Sequence, residues 1–280
     1  MNCYFVSDLH GKTELYEKLF HHILNHPPEV LFIGGDIMAH GYLEGEDKDF
    51  IMGYLYSRLS DLKDHLKDRY PDIYIIMGND DPRVYEENII KLEKKGLWHY
   101  ANQKIFAHGQ YYVVGYSFIP PTPFGLKDWE KYDVSRYVDP GCSHPYQGMR
   151  TVVPDYDTEY SNIKMDMDNI SEDIDIRKTI FLFHSPPYNT VLDRAALDGK
   201  MIDYVPLDVH VGSIAIQRFI DEHQPLLTLH GHIHEASTIT GQWKQKIGKT
   251  HAYTAAYDEE KLALVNFDTS DLDKAERYLL

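Results

Sequence analysis

Five short clusters of carboxylate, imidazole and amide side chains carry the chemistry open to this sequence. They are Asp8-Leu9-His10-Gly11, Gly34-Gly35-Asp36, Gly78-Asn79-Asp80-Asp81, His184-Ser185-Pro186-Pro187 and Gly231-His232-Ile233-His234. Carboxylates, imidazoles and an amide carbonyl form a mixed oxygen and nitrogen shell that suits Mn, Fe, Zn, Ni or Co. Cys3 and Cys142, the two cysteines, offer few soft sulfur ligands. Asp8 alternates with His10, and His232 with His234, so an extended backbone would send both side chains of each pair the same way. Gly11, Gly34, Gly35 and Gly78 permit tight turns and close backbone approach. A single Asp after a strand is more often a turn or cap residue than a ligand. Five such clusters in series reverse that reading.

Each cluster follows a short apolar run of the kind that forms a buried strand: 3–6, 30–33, 73–77, 180–183 and 226–229, with a further run at 111–114. Helical spacing is present over 13–24, 48–67, 83–94 and 213–222. Alternating strands and helices indicate an α/β protein, and open α/β sheets place their sites at strand C-terminal edges. Three further strands, 243–246, 250–254 and 262–267, follow one another without helices and point to a mixed or second sheet. Residues 117–178 lack periodicity and read as an irregular insertion, a candidate lid or substrate-facing cap. Its aromatics, Trp129, Tyr132, Tyr137, Tyr146 and Tyr156, are expected to pack it onto the domain ahead of stacking on a base.

The ordered set of five clusters resembles the calcineurin-like metallophosphoesterases, with all five signature blocks of that superfamily recognisable from Asp8 to His234. Pro120-Pro121-Thr122-Pro123-Phe124, Leu192-Asp193-Arg194 and the run from His210 to His232 extend the likeness to a prokaryotic branch of it. The resemblance implies an α/β sandwich of two mixed β-sheets flanked by helices, one domain over 1–280 bearing the insertion. It also implies two divalent ions, Mn first, with Fe, Zn, Ni or Co as alternatives. Asp8, His10 and His234 would hold the first ion and Asn79, His184 and His232 the second, with Asp36 bridging and Asn79 also meeting substrate. A hydroxide bridging the ions would attack phosphorus in line, without a covalent enzyme intermediate. The net positive charge of such a centre favours a small phosphorylated substrate: a phosphodiester, phosphoanhydride or phosphomonoester.

One position departs from the family pattern. The residue after the metal-binding Asn is usually a His that binds phosphate and protonates the leaving group; here it is Asp80. An Asp beside dications is an anion near neutrality and a poor proton donor. UDP-diacylglucosamine pyrophosphatases also lack that His, so its absence does not imply an inactive site. The expectation is a substrate needing little leaving-group protonation, or another acid such as His210. Arg194 is the candidate to pair with a nonbridging phosphate oxygen, with a surface ion pair as the alternative. Asp81, followed by Pro82, reads as a helix N-cap. His230 reads as structural or supporting, His21, His22 and His26 as solvated, and His108 and His251 as unassigned.

Composition bounds the function class. The 280 residues are 43% hydrophobic and 26% charged, within the globular range, and two cysteines are too few for a disulfide framework. A reducing cytoplasm and no membrane contact are expected, since no signal peptide or long apolar stretch is present. A net charge of −16 disfavours polyanionic nucleic acid as a partner. That charge counts against the rival reading as a nuclease. The other rival, a noncatalytic interaction protein on the same fold, is opposed by seven intact ligand positions.

Overall fold

The computed structural model describes residues 1–39, 50–170 and 174–280. The first sheet is built from β1 (Asn2–Val6), β2 (Val30–Gly34), β3 (Asp72–Ile76) and β4 (His99–Tyr100), all parallel. The second has β5 (Ile105–His108), β6 (Tyr111–Tyr116), β7 (Thr179–Phe183) and β10 (Leu227–His230). Between them in sequence lie α1 (Thr13–Asn25), α2 (Tyr56–Leu66), α3 (Glu86–Lys94), α4 (Ile163–Ile170) and α5 (Ile214–His223), with a short hairpin, β8 (Met201–Ile202) and β9 (Val205–Pro206). A short helix, α6 (Ala236–Thr240), precedes β11 (Lys244–Ile247), β12 (Thr250–Thr254), β13 (Ala263–Asp268) and β14 (Asp271–Leu279). The sheet orders are β14-β13-β1-β2-β3-β4 and β11-β12-β10-β7-β6-β5.

Why the early strands are apolar on both faces follows from this arrangement, because both faces are covered. Cys3, Phe5, Val30, Phe32, Tyr74, Ile76, Ile180, Leu182, Leu227 and Leu229 form the apolar layer between the sheets. The alternate residues Tyr4, Val6, Leu31, Ile33, Ile73, Ile75, Phe181 and Phe183 join the helices instead. The C-terminal strands do not form a separate sheet. β13 pairs antiparallel with β1 and β14 with β13, while β12 runs parallel to β10 and β11 antiparallel to β12. The expected mixed character therefore appears in both sheets. Of the helix read over 48–67, Phe50–Leu55 is a wider π-type turn leading into α2, and residues 48 and 49 lie outside the described residues. No helix among the described residues is long and apolar enough to cross a membrane.

The insertion is more ordered than its sequence suggested. Trp129 and Tyr132 are fully buried, and the Trp129 indole N–H donates to the Asp81 carbonyl at 2.8 Å. Tyr156 packs edge-on against Phe118, with Lys131 above its ring, whereas Tyr137 is 69% exposed and Tyr146 is 40% exposed. Lys127 and Glu130 form a buried ion pair at 2.7 Å, with the Thr122 carbonyl as a further acceptor for Lys127. Packing thus accounts for three of the five aromatics. The insertion also caps α5. Asp133 accepts from the backbone N–H groups of Ile214 and Ala215 and from the Ser213 hydroxyl, while Ser213 itself accepts from Ile216 N. Asp133→Ala should destabilise the fold by about 1–2 kcal/mol through loss of this cap. Chemical denaturation would show it as a lower midpoint with an unchanged slope; an unchanged midpoint would remove the capping role.

Candidate metal centre

β1, β2, β3, β7 and β10 are the five strands whose C-terminal ends carry the clusters. Backbone hydrogen bonds stitch the loops together: Asp8 N to Gly35 O at 3.0 Å, His10 N to Asp36 O at 2.8 Å, and Gly231 N to His184 O at 3.0 Å. The side chains do not converge by the strand alternation that the sequence led us to expect. Asp8, His10, Asp36 and His232 have φ of 59°, 44°, 50° and 74°, in the left-handed region. That conformation costs roughly 1 kcal/mol or more for each non-glycine residue and persists only where surrounding contacts enforce it. The ligand types are aimed by tight turns beyond the strand ends.

Glycine makes the close approach possible. A Cβ on Gly78 would collide with Asp36 Oδ1 and lie 2.6 Å from His184 Cε1. Gly35 has φ of +94° and would place a Cβ 2.8 Å from His184 Nδ1. No side chain fits at either position without moving a candidate ligand.

Asp8, His10, Asp36 and His234 each offer one ligand atom, and these atoms lie within 4.8 Å of one another. His10 Nε2 and His234 Nε2 are 3.0 Å apart, and His234 Nε2 is 3.3 Å from Asp8 Oδ1. On the other side of Asp36, His184 Nε2 is 3.3 Å from Asp36 Oδ2 and 3.0 Å from Asn79 Oδ1. Asp36 Oδ2 is also 3.9 Å from His10 Nε2, so one carboxylate faces both groups. The His232 ring lies 5.3 Å from that of His184, and its backbone N–H donates to Asp8 Oδ1 at 3.0 Å. His184 Nδ1 faces the Gly34 carbonyl at 2.8 Å, which fixes the ring and turns Nε2 toward Asp36. A buried donor set of carboxylate oxygen and imidazole nitrogen at this spacing fits a divalent transition-metal ion.

The electrostatics agree with a cation-binding role. Burial works against the Asp36 carboxylate, but His184 and His10 hold it far below the usual range. Burial likewise opposes Asp8, which His234 lowers. Burial lowers His184, but Asp36, Asp8 and the Gly34 carbonyl together raise it to about 10. Burial and the neighbouring His184 charge press His232 down to about 3. Two carboxylates kept ionised in a buried pocket hold negative charge that only a proton or a cation can balance.

The remaining sequence candidates separate. Asp80 accepts from Asn79 Nδ2 at 3.0 Å and donates its backbone N–H to Asp36 Oδ1 at 2.8 Å. It thereby turns the Asn79 oxygen toward His184. His210 lines the same cavity as Asp36, Asn79, His232 and His234, and its Nδ1 lies 2.8 Å from the fully buried Asp193. Arg194 does not line that cavity; its guanidinium donates to the Ala195 carbonyl and pairs with Asp198 at 2.5 Å. His230 is buried between the Ser185 carbonyl and the Thr228 hydroxyl, at 2.9 and 2.8 Å. His108 sits against Tyr74 and Asp72, and His251 against Asp273.

Asp81 is not a helix cap. It is fully buried and accepts from Ile37 N at 3.1 Å, Met38 N at 2.9 Å and Gly78 N at 2.9 Å. The following short helical turn has Pro82 at its cap position and no side-chain cap. Burial and the Asp36 charge push the Asp81 carboxyl up to about 8 against those three donors. Asp81 ties the Asp36 loop to the Asn79 loop. Asp193 and Gly231 are the other supports that the residue pattern did not single out. A Cβ on Gly231 would lie 2.6 Å from Asp8 Oδ2, and Asp193 stood in a motif without an assigned task.

Comparison with known proteins adds a family and a fold. A family model described as calcineurin-like phosphoesterase matches residues 1–236. No curated protein sequence is significantly similar to the chain. Among solved structures, one is similar with a TM-score of 0.60 at 16% identity, covering 100% of this chain and 98% of that one. The protein TT1561 of Thermus thermophilus gives 0.57 at 15%, covering 99% and 98%. A dimetal phosphatase from Danio rerio gives 0.53 at 10%, covering 95% and 91%. At these identities the similarity is one of fold.

Proposed function

This chain belongs to the calcineurin-like phosphoesterase family, and we propose that it is a dinuclear metal-dependent phosphohydrolase acting on a small phosphorylated molecule. One observation carries the reading: the Asp36 carboxylate faces His10 on one side and His184 on the other. Asp8, His10 and His234 would hold one ion, Asn79, His184 and His232 the other, with Asp36 shared and Mn the first choice. Divalent ions so held supply Lewis-acid charge and a nucleophile drawn from water at neutral pH.

The chain's own residues supply orientation and protons. Asp80 aligns Asn79 and, as a carboxylate, favours a diester monoanion over a monoester dianion. His210 protonates the leaving oxygen. Asp193 accepts N–H bonds from Asn189, Thr190 and Gly212 at 2.9, 2.9 and 3.1 Å, and holds His210 Nδ1 at 2.8 Å. A carboxylate fixed by three donors sets the ring so that Nε2 is the catalytic nitrogen. His210→Gln should slow alkyl esters by about 100-fold while leaving p-nitrophenyl esters, which leave without a proton, nearly unchanged. Equal losses on both leaving groups would assign His210 a structural role.

The reading as a whole is tested by chelation, restoration with Mn and parallel assay of bis(p-nitrophenyl) phosphate and p-nitrophenyl phosphate. Metal-dependent turnover favouring the diester is expected, with two ions per chain by elemental analysis. Two bound ions without turnover of either ester would overturn the enzymatic reading and leave a metal-binding protein.

A further inference from the structure

The cavity that opens onto the candidate metal centre is about 620 Å³, within the range of small-molecule sites. Its floor includes Asp36, Asn79, His232 and His234, and its walls come from the insertion and from the segment between β7 and α5. Apolar side chains predominate in the lining: Pro121, Phe124 and Val138 face the cavity from the insertion, Leu197 and Leu207 from the segment between β7 and α5, and Ile233 from the loop after β10. Among the described residues that line it, none is Lys or Arg, while Asp80, Asp139, Asp208 and Glu235 all do. The nearby guanidinium of Arg194 is engaged by Asp198.

We infer that the substrate is a phosphodiester monoanion whose second ester group is bulky, apolar and uncharged, seated between Phe124, Val138, Leu197 and Leu207. This inference rests on the hydrolase reading and adds what that reading leaves open, the chemical class of the organic group. The charge pattern counts against the alternative of a polyanion. A diphosphate, a nucleotide polyphosphate or a carboxylate reaching into the cavity would find no Lys or Arg among the described lining residues, and several carboxylates in a setting of reduced dielectric. An aryl or alkyl group replaces water against the apolar walls at no electrostatic cost. On this inference the insertion, which lines the cavity, forms one wall of the substrate site.

The test holds the leaving group constant. p-Nitrophenyl phenyl phosphate and its 4-carboxyphenyl analogue differ by one carboxylate, and so one negative charge, in the second ester group. With Mn-loaded protein, the phenyl ester should show a kcat/KM about tenfold or more above the carboxyphenyl ester. Leu207→Lys should bring the two within about twofold, and Phe124→Ala, at a half-exposed position, should lower the phenyl ester alone. Metal-dependent turnover of both esters at equal efficiency, or a ratio untouched by Leu207→Lys, would overturn the inference while leaving the hydrolase reading intact. If neither ester turns over, the hydrolase reading fails, and calorimetric binding of phenyl and 4-carboxyphenyl methylphosphonates decides the cavity's preference alone. Equal binding of the two phosphonates would then overturn it.

Discussion

Asp36→Asn is expected to lower metal-dependent hydrolysis by on the order of 1000-fold, the largest effect of any single substitution in this chain. The side chain keeps its volume, and the amide oxygen can still accept the Asp80 N–H that Asp36 Oδ1 accepts at 2.8 Å. What disappears is one negative charge facing His10 and His184 together, at 3.9 and 3.3 Å. His184, raised to about 10 chiefly by Asp36 against the lowering by burial, should titrate lower in the variant. Elemental analysis after loading with Mn should find one ion or fewer per chain, and circular dichroism should match that of the parent. Retention of two ions with activity within tenfold of the parent would remove Asp36 from the shared position.

Asp81→Ala should unfold the site from beneath and cost about 3 kcal/mol or more. Its two oxygens satisfy three backbone donors, Ile37 N, Met38 N and Gly78 N, in a place without solvent access. Alanine leaves those three N–H groups buried and unpaired. The midpoint of thermal unfolding should fall by roughly 10 °C for a chain of this size. Because Ile37 adjoins Asp36 and Gly78 adjoins Asn79, metal retention should fall even at temperatures where the variant is folded. Asp81→Asn, which keeps an acceptor oxygen, should lie between the two. An Asp81→Ala variant with parental midpoint and parental metal content would show that the clamp is dispensable.

These two residues differ in how far sequence exposes them. Asp36 stands after a buried strand and two glycines, in series with four similar clusters, and the chemistry of its type in that series is legible before folding. Asp81 sits in the same kind of cluster, beside Pro82, and its local pattern is that of a turn or cap. Its partners are 43 and 44 positions away in sequence, on the loop after β2. Nothing local distinguishes a carboxylate that binds solvent from one that accepts two distant amides beside the nearby Gly78 N–H. The insertion shows the same limit: without periodicity it read as irregular, yet Trp129 and the Lys127–Glu130 pair are fully buried there. Long-range contacts hold it, and hydrophobic period cannot register them.

Strand runs, helix spacing, the order of the five clusters and the ligand types within them were determined by the sequence itself, because each depends on residue type and on neighbours a few positions away. The tertiary structure decided how the ligand types aim. Left-handed turns at Asp8, His10, Asp36 and His232 replace the alternation that the spacing implied. It also decided that Arg194 turns away to Asp198 and that His210 is held by Asp193. The fold alone made a cavity beside the candidate metal centre with predominantly apolar walls and, among the described residues that line it, no Lys or Arg. Those properties depend on side chains brought together across loops far apart in sequence, and their burial and mutual fields exist only once both sheets have packed.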